Sequence, residues 1–130
     1  MLLGAATAAV ALMVVLGLVY VGSRRNSPEH AVGSFLTLIQ DGKCEEAMEL
    51  MSSGARRWVT SLYGSASFLC DHLRSADEIP RSYRIESVEK GSSEAELRVR
   101  ITTLSEQEII RVFKTIREDG RWRVIPPWTS

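Results

Sequence analysis

The sequence predicts an α+β domain behind an apolar N-terminal run, with helices first and an antiparallel sheet after them. Three observations carry this. None of the 16 basic and 16 acidic side chains occurs before Arg24. From Ser27 to Arg74 apolar residues recur at helical spacing, and after Ile79-Pro80 the pattern changes to alternation. The chain has 130 residues, room for one modest domain. Equal numbers of acids and bases leave zero net charge, which argues against a nucleic-acid binder.

Met1 to Ser23 reads MLLGAATAAVALMVVLGLVYVGS. As a helix it rises about 30 Å, enough to cross a bilayer's hydrocarbon core. Residues 1–23 are therefore expected to form a single-pass transmembrane anchor and residues 24–130 the folded domain, with Tyr20 near one interface. The competing reading is a cleaved secretory signal. It lacks the basic n-region, the apolar run is too long, and Val19-Tyr20-Val21 and Val21-Gly22-Ser23 are poor cleavage sites. Arg24 and Arg25 follow the run and favour a cytoplasmic domain. Cys44 and Cys70 point the other way, because a lone pair 26 residues apart suits a disulfide in an oxidising compartment. Two buried thiols are the alternative. The balance favours an extracytoplasmic domain, with the cytoplasmic orientation left open.

Ser27-Pro28-Glu29 starts a helix: the serine caps, the proline suits the first helical position, and the glutamate complements the dipole. Ala31, Val32, Phe35, Leu36, Leu38 and Ile39 form its apolar face, and Asp41-Gly42 ends it. A second helix is expected from Lys43 to Met51, stopped by Ser52-Ser53-Gly54. A third helical region runs from Ala55 to Arg74 with a break near Gly64, and Trp58, Val59, Leu62, Tyr63, Phe68, Leu69 and Leu73 are its apolar set. Tyr83 to Lys90 reads as a strand, and Gly91-Ser92-Ser93 as a turn. Ala95, Leu97, Val99 and Ile101 then alternate with Glu96, Arg98, Arg100 and Thr102, as in a half-buried antiparallel strand. Ile109 to Arg117 and Arg121 to Ile125 complete four strands, and Pro126-Pro127 ends the pairing. One sheet face is expected to carry Arg84, Glu86, Glu96, Arg98, Arg100 and Arg123 as cross-strand charge pairs.

This order of elements resembles the nuclear transport factor 2-like (NTF2-like) superfamily, a cone-shaped α+β fold, and within it the membrane-anchored or lipoprotein-like bacterial members. Three segments carry the resemblance: Ser27 to Leu36, with its proline and Phe35-Leu36 pair; Asp41-Gly42-Lys43-Cys44-Glu45-Glu46-Ala47; and the hairpin Glu118 to Ile125, with Gly120-Arg121-Trp122-Arg123-Val124. The resemblance implies Phe35, Phe113 and Trp122 turned into one cone, with Trp58 joining them as pocket or core residues. It also implies a homodimer or a protein partner through the open sheet face.

In enzymatic relatives the cone holds an acid or base and donors to an oxyanion. Here Asp71 and His72 are an adjacent acid and imidazole, and Tyr63 is a hydroxyl donor. Neighbours on a helix diverge by about 100°, so Asp71 and His72 are weak catalytic candidates. No metal-ligand spacing, phosphate loop or nucleophile elbow occurs, and no cofactor is expected. The function expected is a membrane-tethered, non-enzymatic module that binds a partner protein or small ligand at the cell envelope. The alternatives are an isomerase- or cyclase-type enzyme using the cone, and a structural subunit whose anchor makes small-residue contacts through Gly4, Ala8 and Ala11 or through Ala5 and Ala9.

Overall fold

Ser27 opens the first helix as its spacing suggests. Its hydroxyl accepts from the His30 amide at 3.2 Å, and α1 spans Pro28–Gln40. The computed structural model describes residues 26–129; the anchor expected over 1–23 lies outside them. Among the described residues no helix is long and apolar enough to cross a membrane. Along α1 the buried residues are Pro28, Ala31, Val32, Phe35, Leu36 and Ile39, one face of the helix. Gly42, at φ 74°, turns the chain into the short α2, Cys44–Glu49.

Ser52-Ser53-Gly54 does not end a helix; it begins one. Ser52 has extended backbone and its hydroxyl accepts from the Ala55 amide at 3.1 Å, so α3 runs Ser53–Tyr63 with Ser53 and Gly54 in its first turn. Serine serves as a start signal as readily as a stop, because its oxygen satisfies an orphan amide. Gly64, at φ 76°, separates α3 from α4, Ala66–Ser75. Cys44 on α2 and Cys70 on α4 form a disulfide, their Cα atoms 6.1 Å apart.

Four antiparallel strands follow in sequential order: β1, Pro80–Lys90; β2, Glu94–Thr103; β3, Glu108–Glu118; and β4, Arg121–Ile125. β1 begins at Pro80, earlier than Tyr83, because proline is tolerated as the first residue of a strand. Its register with β2 shifts between Pro80 and Ser82 and again between Ile85 and Ser87. Such bulges bend and twist a strand, which curves the sheet around the helices. Asp119 and Gly120, at φ 52° and 76°, make the two-residue turn between β3 and β4.

The inner sheet face supplies Leu97, Val99, Ile101, Phe113 and Val124 to a core shared with Val32, Phe35, Ile39, Val59 and Leu69. Helices therefore cover one face of a four-stranded antiparallel sheet. Two connections fall outside the sequence-based expectation. Leu50 to Ser52 bridges to β4 in parallel, with Ser52 donating to the Val124 carbonyl and Val124 to that of Leu50, both at 2.9 Å. After Pro126 the chain does not leave the domain but folds back as a 3-10 helix, Pro127–Thr129. On the outer face Arg100 binds Glu86 at 3.2 Å and Glu108 at 3.0 Å, and Val112, which is exposed, stands in a register row with Arg98.

Candidate binding cleft at the aromatic centre of the cone

The interior of the curved sheet is filled by three rings. Phe35 on α1 and Phe113 on β3 meet edge to face with centroids 6.3 Å apart. The third ring is Trp128 of the 3-10 helix, 6.0 Å from Phe35 and 6.2 Å from Phe113. Trp122 lies on the same face but further along the sheet, opposite Arg117, where Arg117 and Lys90 approach its ring at 5.5 and 5.6 Å. Trp122 is itself a buried core residue, 7% exposed, while the third ring at the Phe35–Phe113 contact is Trp128. Proline removes ladder donors and so ends β4, which frees the next residues to turn back over the core.

Trp58 is half-buried on α3, edge to face with Tyr63 at 6.2 Å. Tyr63 in turn lies 5.2 Å from the His72 ring. His72 is exposed, and Asp71, also exposed, turns to Arg74 at 3.4 Å. Tyr63 and His72 are therefore brought together, whereas Asp71 is directed away from both, as their positions along one helix dictate. Cys44 and Cys70 are joined in the disulfide, so neither is a free thiol.

A cleft of about 200 Å³ opens beside the aromatic centre, lined by His72, Leu73, Ala76, Glu78, Arg111, Pro127 and Trp128. Arg111 projects from β3 and grips Glu78 through two of its nitrogens, Nε at 3.2 Å and a terminal nitrogen at 2.5 Å. The same guanidinium donates to the Ile110 carbonyl at 3.0 Å. Such a forked pair fixes both side chains and leaves a polar rim with little net charge. Trp128 Nε1 is buried and has no hydrogen-bond partner among the described residues. A buried donor without an acceptor costs free energy. Glu78, Arg111 and Trp128 are residues that sequence reasoning missed. The available signal was Trp128 itself, a large aromatic directly behind a proline pair, which is expected to seek burial. No group of three or more potential metal-ligating side chains occurs among the described residues.

A second polar cluster lies between α1 and β1. Tyr83 donates to the Gly33 carbonyl at 3.0 Å and shares a hydrogen bond with Thr37 at 3.2 Å. A side chain at Gly33 would meet the Tyr83 hydroxyl at 3.2 Å, so the glycine permits this close approach.

No protein-family model matches the chain, and no curated protein is significantly similar to it. Solved structures are. One, provisionally described as an NTF2-like transpeptidase of Campylobacter jejuni, is 14% identical, covers 75% of this chain and 96% of its own, and has a TM-score of 0.58. The fold is NTF2-like. A de novo designed protein with a curved β-sheet is 12% identical, with 75% and 93% coverage and a TM-score of 0.51. At these identities the likeness to both is one of NTF2-like architecture, and the activity named for the Campylobacter protein stays with that protein.

Proposed function

We propose that this chain is a membrane-tethered, non-enzymatic binding module with an NTF2-like domain, held at the cell envelope by residues 1–23 and displayed on the extracytoplasmic side. The observation that carries the binding reading is the cleft beside Trp128, where a buried indole donor lacks a partner among the described residues. Its rim suits a small ligand, or a protruding side chain of a partner, that presents a carbonyl or hydroxyl oxygen. The disulfide supports the extracytoplasmic side, because such bonds persist in oxidising compartments. It outweighs the opposing argument from Arg24 and Arg25. The outer sheet face is the surface proposed for a second copy or a protein partner, and nucleic acid is not expected on a chain with balanced charge.

Thiol labelling of intact cells with a membrane-impermeant reagent tests the orientation. Cys44 and Cys70 are expected to react only after reductant is added. Free thiols that react only after lysis would place the domain in the cytoplasm. For the binding reading, Asp71→Asn and His72→Ala are expected to leave any measurable turnover unchanged. A loss of turnover in either variant would favour the isomerase- or cyclase-type alternative.

A further inference from the structure

At one end of the sheet the two faces differ sharply in charge. Lys90, at the end of β1, and Arg117, at the end of β3, both approach the Trp122 ring from the inner face. Neither forms an ion pair among the described residues. Arg121, exposed at the start of β4, is paired in register with Glu118 and lies on the other face. The glutamates of this end, Glu89, Glu94 and Glu96, lie on the opposite face, paired in register with Glu96, Ile116 and Lys114 respectively. Glu118 is turned away too, its carboxylate bound to Ser53.

The chain enters the domain at the same place. The Asn26 side-chain amide donates to the Gly120 carbonyl at 3.2 Å, fastening the start of the described chain to the β3–β4 turn. Arg24 and Arg25 immediately precede it in sequence. From Ser23 to Asn26 the backbone can reach at most about 10 Å. A bilayer surface at the end of the 1–23 run therefore lies within about 10 Å of the Asn26 backbone, which is held to the β3–β4 turn at the same end of the sheet as Lys90 and Arg117.

We propose that this cationic edge docks on the anionic phospholipid headgroups of the leaflet from which the anchor emerges. The proposal rests on the membrane-tethered reading and deepens it: the tether then also sets the orientation of the domain. Cations near an anionic surface gain attraction that falls off within a Debye length. Docking there directs the glutamates of the outer face away from the bilayer and leaves the cleft beside Trp128 at a different part of the domain.

The test uses the full chain in nanodiscs of phosphatidylcholine alone or with phosphatidylglycerol, followed by amide hydrogen exchange. Exchange in Lys90–Glu94 and Glu118–Arg121 is expected to slow about fivefold or more in the phosphatidylglycerol discs, and the difference to vanish at about 1 M salt. Lys90→Gln with Arg117→Gln is expected to lose most of the protection, while Lys90→Arg with Arg117→Lys keeps it; unchanged circular dichroism controls for folding. Equal exchange in both discs, with the chain retained in them, overturns the docking and leaves the tether standing. Equal protection by millimolar inorganic phosphate in phosphatidylcholine discs also overturns it, assigning the edge to a soluble anion. Failure of the chain to enter discs removes the tether and the docking together.

Discussion

Glu118 shows how one side chain joins sheet to helix. Its carboxylate accepts from the Ser53 amide at 2.9 Å and from the Ser53 hydroxyl at 2.8 Å, at the positive end of α3. The Ser53 hydroxyl, then its amide, hold the Glu118 carboxyl below its ordinary value of 4.5, with Arg123 and Arg56 adding a smaller pull against desolvation. A depressed folded value stabilises the fold above the unfolded value, and the contribution is lost as pH falls through the folded one. Glu118→Gln is thus expected to be less stable than the parent at neutral pH and to converge on it below pH 4.5, measured by urea denaturation across the acid range. In the aromatic centre the outcomes separate by type. Phe113→Ala is expected to cost about 3–5 kcal/mol, whereas Trp128→Phe, which also removes an unsatisfied donor, is expected to cost under about 1.5 kcal/mol. Chemical denaturation of the two variants checks the contrast.

Among the elements, the helical layer depends on its cross-link more than on α2 itself, which has only six residues. Replacing both cysteines by serine is expected to lower stability by about 3 kcal/mol, read as a shift in the denaturation midpoint of the oxidised protein against the variant. The strands were the most legible part of the sequence. Alternation from Ala95 to Ile101 and from Arg121 to Ile125 locates β2 and β4, because a strand with one wet face imposes period two directly on the residues. Helix starts were legible where Ser27 meets Pro28 and ambiguous at Ser52, since a serine cap and a serine stop share one residue type. The cleft was not legible. Glu78, Arg111 and Trp128 lie on three separate elements, and no local pattern records that the chain turns back after Pro126. Asp71 and His72 drew notice by adjacency, which on a helix sends side chains apart.

For the molecule as a whole, the outer sheet face governs association. Arg100 is engaged by Glu86 and Glu108, while Val112 is 44% exposed between β2 and β4. If a second copy packs on this face, Val112→Glu places an unpaired charge in the contact and is expected to weaken self-association at least about tenfold by sedimentation velocity, with the monomer's melting temperature unchanged. An unaltered sedimentation profile would move the contact elsewhere.

The parallel bridge from Leu50–Ser52 to Val124 has a consequence for the fate of a damaged chain. It occupies the free backbone groups along part of β4, so the sheet does not end there in an open ladder, while β1 at the other margin is bent by two register shifts and studded with Arg81, Glu86 and Glu89. The segment that closes β4 directly follows α2, whose place is secured through Cys44. Reducing agents would then do more than lower a midpoint: once α2 loosens, β4 offers its vacant amides and carbonyls to a neighbour. The disulfide is expected to act in this way as a guard against polymerisation, with turbidity after reduction rising before the helices melt.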